Sequence, residues 1–555
     1  MRVMEKRQIG NKRVMPFTIP SGIAITDPLC AARIARRVDE LGIITLKSTG
    51  LKERVMPTEE LYRKNPDGLE FGCREPIYVQ LGDGIYANAV KLINKGAKKT
   101  REEIERANFP KDKLVVASVF AANESDLVEI IKILDPVVDA FKCNLGCPHG
   151  EKIGMAQGQD PEMVYSFARA GTHVTDKPFI VKFPANFTAE CVRAAVRGGA
   201  YGGAAINTIP CEPVDEKGRH LLWNLKGGKS GRELISLGLQ RTLEMRAAAG
   251  KDFFIIGEGG IFSAKNARAY FDNGADAVGL GTVLTDMDEE AIAKFFPAIV
   301  NDLENGTDYA SALIPKVNMQ RRPATIRKIM NKGCDFRIYE IDISIDAKPG
   351  QFVFAGLYGG ERPEEKPFSV MDDNPLTIGV LERGLFTRKF GELREGDEIY
   401  VKGPCGKGVS VPPKSNVVLV GGGCGIAGLA LLAKRLSADS NVLTLLAAKD
   451  NAHLAYLDEF RKYGEIRVIT EDGSSGKRGL VTDLMYSLPS ESYFFNCGPK
   501  GMVNSVLPLE LSLSSPEKIY SSLDLVTRCG MGICGSCVDD KGRRTCKEGP
   551  FMSAE

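Results

Sequence analysis

The strongest constraint on this chain is a rhythm that repeats from about residue 15 to 310: a short apolar or β-branched run, a turn, then an amphipathic segment. The runs are Gly42 to Thr45, Pro76 to Gln80, Leu114 to Val119, Ala140 to Asn144, Phe179 to Phe183, Gly203 to Asn207, Phe253 to Ile256 and Ala277 to Leu280. Eight runs over about 300 residues, separated by helical patterns, point to a parallel (β/α)8 barrel rather than an open sheet.

The rhythm then breaks. Ile314 to Lys332 is basic and turn-prone (KVNMQRRPATIRKIMNKG) and reads as a linker. Phe336 to Pro412 offers short alternating strands punctuated by Gly and Pro, as in a small antiparallel barrel. Strand and helix patterns alternate again from Asn416 to Leu511, and the last forty or so residues are cysteine-rich. The expected architecture is therefore multidomain α/β: a TIM barrel over 1–320, a β-barrel over 330–413, an α/β nucleotide-binding domain over 414–512 and a small cysteine domain over 513–555.

Lys and Arg number 73 against 71 Asp and Glu, a formal charge of +2, so nothing global draws the chain to nucleic acid or an anionic membrane. Small-molecule chemistry is the expectation. The basic N-terminus has no apolar run behind it, so it is not read as a secretory signal, and the expected location is cytoplasmic. Ser415 to Ala433 carries no charge over a length that could cross a bilayer, but its successive glycines would interrupt a spanning helix. His173, His220, His453 and Trp223 read as solvated or core residues.

Ten of the fourteen cysteines are scattered; the other four, Cys529, Cys534, Cys537 and Cys546, form Cys-x4-Cys-x2-Cys-x8-Cys. The first three spacings are those of plant-type [2Fe-2S] ligation, and Gly530, Gly532 and Gly535 let the loop wrap a cluster. Four-thiolate zinc is the rival reading, although it more often uses two Cys-x2-Cys knuckles. Four unconnected cysteines are the remaining one.

Val417 to Val420 is an apolar strand followed by GGGCGIAG and a helical run, which puts Gly423-x-Gly425-x-x-Gly428 where a phosphate loop belongs. A plain strand-to-helix turn is the alternative. In the barrel, IIGEGGI (255–261) and AVGLGT (277–282) are glycine-bearing strand ends one helix apart, where a (β/α)8 barrel commonly binds phosphate. FMN would suit that place, with ligand-free tight turns as the alternative. The loop NLGCPHGEKIGMAQG (144–158) follows a strand and sets Cys147 two residues from His149, either a general acid or base pair or a structural thiol.

Taken in order, KPFS (366–369), GLFT (384–387), GGGCG, Cys497-Gly498-Pro499 and the cysteine loop resemble the ferredoxin–NADP⁺ reductase superfamily. They more closely resemble the FAD- and [2Fe-2S]-containing electron-transfer subunit of NAD-dependent dihydroorotate dehydrogenase. The resemblance covers about residues 330 to 555. It implies that Lys366, Phe368, Ser369, Gly384 and Thr387 lie along FAD, and Gly422, Gly423, Gly425, Cys497 and Gly498 along NAD(H) or NADP(H). Lys366 stands where that family usually has Arg, and Arg362 is near enough in sequence to substitute. Lys449 and Asp450 after the next strand give mixed signals on NAD against NADP.

Ser21-Gly22, Lys47-Ser48, Asn144-x-x-Cys147-Pro148, Lys182, Asn207-Thr208, Gly227-Gly228-x-Ser230-Gly231, Gly259-Gly260 and Gly281-Thr282 resemble the catalytic barrel of dihydroorotate dehydrogenases. That resemblance implies FMN with Lys47 and Lys182 near its ring and Gly259, Gly260, Gly281 and Thr282 around its phosphate. It further implies Asn144 and Asn207 on the pyrimidine amide edges and Cys147 as the base at C5. Where the family has Asn after Cys-Pro, this chain has His149, and CPHGEKIGMAQGQDPE is closer to the loop of dihydropyrimidine dehydrogenase. A further family asparagine is not evident in VQLGDGIYANAV, where Gln80, Asp83 and Asn88 are the polar candidates.

These resemblances together imply a fusion that oxidises dihydroorotate with NAD⁺ through FMN, [2Fe-2S] and FAD, in which a flavin at each end and a one-electron relay between them require both modules. Uracil or thymine reduction by NAD(P)H is the runner-up, and electron transfer to a partner by a chain with a divergent barrel is the third reading. Related barrels pair, so a homodimer through the barrel is expected.

Overall fold

The computed structural model describes residues 5–55, 75–147, 154–316, 318–331, 334–358, 362–522 and 525–555. They fall into two compact units: Met1–Glu60, Pro76–Lys316 and Met531–Arg543 form the first, and Leu61–Glu75, Val317–Gly530 and Arg544–Glu555 the second.

The first unit is built on a closed parallel barrel of β1 (Phe17–Ile19), β2 (Ile43–Thr45), β3 (Leu114–Val119), β4 (Ala140–Asn144), β5 (Phe179–Lys182), β6 (Gly202–Ala205), β7 (Phe254–Glu258) and β8 (Ala277–Gly279). Each strand pairs with its sequence neighbours, and β8 closes on β1 through Val278 and Phe17. Leu114–Val119 is buried at every position, as a strand covered on both faces must be. Six helices of this unit start on side-chain caps: Asp27, Asn123, Asp160, Thr188, Ser263 and Asp288 each accept a hydrogen bond from a first-turn backbone N–H.

One expected barrel strand belongs elsewhere. The run at 76–80 forms Tyr78–Gly82, which pairs antiparallel with Ile85–Asn88 in a four-stranded sheet completed by Ile209–Cys211 and Gly227–Gly231. Gly82-Asp83-Gly84 is the hairpin signal that accounts for it. The missing barrel strand is Phe17–Ile19, whose three residues are too short to show a period.

The second unit opens with a closed antiparallel barrel: β9 (Arg322–Met330), β10 (Phe336–Ile341), β11 (Phe352–Leu357), β12 (Glu364–Asp373), β13 (Leu376–Leu381) and β14 (Glu398–Cys405), in the order β9-β10-β13-β12-β11-β14. The stretch read as a linker therefore contains β9. Ala324, Ile326 and Ile329 turn inward while Arg327 and Lys328 face solvent, so its basic composition is that of an outer strand face.

A seven-stranded sheet follows, made of β15 (Asn416–Gly422), β16 (Asn441–Ala448), β17 (Glu465–Thr470), β18 (Lys477–Arg478), β19 (Tyr493–Cys497), β20 (Ile519–Ser522) and β21 (Phe551–Ser553), in the order β18-β17-β16-β15-β19-β20-β21. All pairs are parallel except β20 with β21. The uncharged stretch from Ser415 to Ala433 is thus a strand, a turn and the start of the buried helix Ile426–Leu436. Among the described residues no helix is long and apolar enough to cross a membrane.

Candidate functional site

In the first unit the C-terminal ends of the barrel strands meet at one rim, where barrels of this kind carry their chemistry. Ser21 and Gly22 follow β1, and Lys47 and Ser48 follow β2; Asn144 closes β4 and leads to Cys147, and Lys182 closes β5. Asn207 and Thr208 follow β6, Gly259 and Gly260 follow β7, and Gly281 and Thr282 follow β8. Two cavities of about 130 and 90 Å³ lie at this rim and share Ser21, Ile23, Asn207, Thr208 and Ser230. Lys47, Ser48, Asn88, Lys91, Asn144 and Cys147 line the first. Lys182, Gly231, Glu258, Gly259, Gly260, Gly281 and Thr282 line the second.

A chain of side-chain hydrogen bonds fixes the polar wall. The hydroxyls of Ser21 and Ser48 share a hydrogen bond at 3.1 Å, and Ser48 shares another with buried Ser118 at 2.8 Å. Asn144 donates from Nδ2 to Ser48 Oγ at 3.1 Å, and Asn207 donates from Nδ2 to Asn144 Oδ1 at 3.1 Å. Asn207 Oδ1 accepts from the Thr208 backbone N–H at 2.8 Å. Cys147 is buried beside Leu92 and Phe120. His149 lies outside the described residues, so the pairing of Cys147 with His149 has no geometry to report.

Beside this wall sit two charges that motif reading left without a role, Lys142 and Glu258, together with Lys182, which the resemblance had set near the flavin ring. Glu258 accepts from Lys182 Nζ at 2.6 Å and from Lys142 Nζ at 3.2 Å, all three groups being buried. Burial pushes the Lys142 ammonium down to about 8 against the pull of Glu258. Burial would raise the Glu258 carboxyl, but the two ammonium groups outweigh it and hold the group below its usual range. Tyr270 donates to the backbone carbonyls of Glu258 and Gly259 at 3.1 and 2.6 Å, pinning the end of β7. The signal in the sequence was an ionisable residue inside each of two strand runs, AFKCN and FIIGE.

The rim fits a phosphorylated ring cofactor. Gly22 has φ +88° and a Cβ there would meet nothing within 4 Å, so its backbone faces open space. Gly259 and Gly260, at φ +119° and +71°, turn the chain after β7 where a side chain would be strained.

In the second unit the glycine loop joins β15 to the helix Ile426–Leu436. A Cβ on Gly425 would lie 2.2 Å from the Cys497 carbonyl oxygen, so the loop and the end of β19 touch through backbone. Gly423, at φ +55°, has nothing within 4 Å of where its Cβ would be and leaves a cradle for a phosphate group. Gly422 and Gly498 both pack on Met502. A Cβ on Gly428 would lie 3.0 Å from Cys497 Sγ and 3.5 Å from Ser369 Oγ, which brings the KPFS segment to the same place.

The other residues matched to FAD are partly engaged. Lys366 is ion-paired at 3.0 Å with Glu75, which also holds buried Arg528 at 3.0 Å, so one carboxylate is shared by two cations and a net positive charge remains. Phe368 packs against Phe386 and Phe390. Thr387 Oγ1 accepts from the backbone N–H groups of Arg383 and Gly384 at 2.8 and 3.0 Å, capping the helix Leu385–Gly391.

Cys534 and Cys537 are buried in the first unit, and Cys529 and Cys546 in the second. Gly530, Gly532 and Gly535 all have positive φ, at +72°, +69° and +78°. The spacing Cys-x4-Cys-x2-Cys, with glycines of positive φ directly after Cys529 and Cys534, is that of plant-type iron–sulfur ligation.

A parallel barrel with thiol, amide and ammonium groups at its rim, in one chain with a glycine-loop nucleotide unit, defines an oxidoreductase. The family model for dihydroorotate dehydrogenase matches residues 65–304. The catalytic subunit of dihydroorotate dehydrogenase B (NAD(+)) from Pyrococcus horikoshii is 33% identical over 288 residues, 51% of this chain and 87% of that one. The probable electron-transfer subunit of dihydroorotate dehydrogenase B (NAD(+)) from Methanocaldococcus jannaschii is 34% identical over 232 residues, 41% of this chain and 87% of that one. The electron-transfer subunit homolog from Thermotoga maritima is 35% identical over 240 residues, 41% of this chain and 84% of that one. The chain belongs to the dihydroorotate dehydrogenase B family, with counterparts of both its catalytic and its electron-transfer subunit in one polypeptide.

Proposed function

We propose that the chain oxidises dihydroorotate to orotate and passes the electrons to NAD⁺. The observation that carries this reading is the composition of the first rim cavity: a thiol, three asparagine amides and two lysines, with no carboxylate among its described lining residues. Amide groups match the donors and acceptors along a pyrimidine edge, and a lysine suits the carboxylate that distinguishes dihydroorotate from uracil.

Asn144 and Asn207 hold the ring through amides already oriented by Ser48 and by each other. Cys147 takes the proton from ring C5 while a hydride leaves C6, which creates the C5–C6 double bond. Lys182, steadied by Glu258, presents an ammonium at the cofactor cavity, and Lys91 and Lys47 offer positive charge at the substrate cavity. Gly22, Gly259, Gly260, Gly281 and Thr282 would hold FMN; Ser369 and Thr387 with Lys366 would hold FAD; Gly422, Gly423, Gly425, Cys497 and Gly498 would hold the nicotinamide nucleotide; and Cys529, Cys534, Cys537 and Cys546 would hold the [2Fe-2S] cluster. When bound, FMN supplies a hydride acceptor, the cluster a one-electron carrier and FAD a donor of an electron pair to NAD⁺.

The same reading assigns the barrel to 1–320, FAD binding to 330–413 with the preceding strand β9, nucleotide binding to 414–512 with the added strands β20 and β21, and the cluster to the cysteine loop within 513–555. It includes a homodimer through the barrel and a cytoplasmic location. Substrate choice tests it. Purified chain is given dihydroorotate with NAD⁺ and, separately, uracil with NADH; turnover of the first pair is expected, and turnover of the second alone would replace this reading with pyrimidine reduction.

A further inference from the structure

Away from both sites, three donors of different kinds meet in the second unit. Cys334 and Asp335 precede β10, and His453 ends the short turn Asn451–His453 that follows β16. Cys334 Sγ lies 3.5 Å from His453 Nε2 and 3.4 Å from Asp335 Oδ1, and Nε2 lies 2.5 Å from that same oxygen. Tetrahedral zinc with bonds of about 2.3 Å to sulfur and about 2.0 Å to nitrogen and oxygen sets donor–donor edges of about 3.5 Å to sulfur and about 3.3 Å between nitrogen and oxygen. Two edges are therefore already in place, and the third needs to open by about 0.8 Å as a cation replaces the shared proton.

Two further hydrogen bonds point the same way. His453 Nδ1 lies 2.6 Å from Asp450 Oδ1, so Nδ1–H donates to that carboxylate, and release of the proton shared by Nε2 and Asp335 leaves the Nε2 lone pair turned toward Cys334 and Asp335. A carboxylate behind an imidazole is the usual way a metal-bound histidine is oriented. The Phe336 backbone N–H donates to Cys334 Sγ at 3.4 Å and helps hold the sulfur beside His453 Nε2. Cys334 is buried while Asp335 is exposed, so the group has a protein-lined side and a side open to water for entry and a fourth ligand.

We propose that Cys334, Asp335 and His453 form a binding site for a divalent transition-metal cation, Zn²⁺ by donor set, with Asp450 orienting the histidine. One thiolate, one imidazole and one carboxylate suit a borderline-soft ion and disfavour Mg²⁺ and Ca²⁺, which take oxygen ligands. Such an ion ties the turn after β16 to the start of β10. The site revises the reading of His453 as a solvated or core residue without a ligand role, and it is independent of the identity of the substrate.

The test uses the full-length holoenzyme, with flavin and cluster content checked by absorbance, titrated with Zn²⁺ against a chromophoric chelator and with Co²⁺ by difference spectroscopy. One equivalent of Zn²⁺ held at micromolar or tighter affinity is expected, with a sulfur-to-cobalt charge-transfer band. Cys334→Ser and His453→Ala are expected to weaken Zn²⁺ at least 100-fold, Asp450→Asn by about 10- to 100-fold, and Cys424→Ser, at an exposed thiol, not at all. No tight equivalent, or one that survives Cys334→Ser and His453→Ala, would overturn the site. If either variant fails to fold, the wild-type cobalt spectrum decides: without the sulfur band the proposal fails.

Discussion

Asn207 donates from Nδ2 to Oδ1 of Asn144 at 3.1 Å, and Asn144 in turn donates to Ser48 at 3.1 Å, so two amides from different barrel strands are oriented by one another at the rim. A ring bound against them meets groups with little reorganisation left to do. Asn144→Ala or Asn207→Ala removes one such contact and loosens the other, with an expected loss of about 1–3 kcal/mol in transition-state binding. Steady-state kinetics should show kcat/KM for dihydroorotate falling about 10- to 100-fold in each variant. The double variant should lose less than the product of the two, since the residues act as a unit.

Glu258 balances two buried ammonium groups, Lys142 and Lys182. Removing its charge leaves both without an anion in the barrel interior, and Glu258→Gln is expected to cost about 3–5 kcal/mol of stability. Lys142→Met instead leaves a neutral Lys182–Glu258 pair and should be far milder. Urea unfolding of the two variants checks the order, and equal losses would contradict it.

Lys91 lines the first rim cavity at a φ of +60°. If its ammonium meets the substrate carboxylate, Lys91→Gln loses a charge-assisted hydrogen bond of about 1.5–3 kcal/mol, and KM for dihydroorotate should rise about 10- to 100-fold. Reduction of the chain by NADH should be unchanged. An unaltered KM would remove Lys91 from substrate binding.

Glu510 in the second unit is buried, and burial pushes its carboxyl up to about 7 although Asn496 donates to it at 2.7 Å. The unfolded chain releases this proton near the ordinary 4.5 and the folded chain near 7, so the folded state binds more protons between those values. Its stabilising contribution is present below about pH 4.5 and is lost as pH rises through 7, a change on the order of 3 kcal/mol. Glu510→Gln should therefore flatten the decline between pH 5 and 8 in urea unfolding of the holoenzyme. An identical slope in both proteins would contradict this.

The sequence made most of the fold legible because parallel strands and amphipathic helices leave periods that local reading detects. Phe17–Ile19 escaped because three residues carry no period, and Arg322–Met330 because its outward lysine and arginines resemble a linker. At the site, motif order placed Asn144, Cys147, Asn207 and the glycines at one rim. It did not reveal the Lys142–Glu258–Lys182 group, whose members are 116 and 76 residues apart and are joined only by closure of the barrel. Lys91 was equally hidden, because nothing local to ANAVKLIN shows that this lysine faces a cavity.

The central claim is that one polypeptide couples dihydroorotate oxidation to NAD⁺ reduction through Cys147. Its most direct test is anaerobic mixing of the holoenzyme with dihydroorotate and NAD⁺, quantifying orotate and NADH together in wild type and Cys147→Ala. Equal amounts of the two products from wild type are expected, with a loss of about 10²- to 10⁴-fold in the variant at unchanged flavin content. No orotate from wild type, or full turnover by Cys147→Ala, would contradict the account.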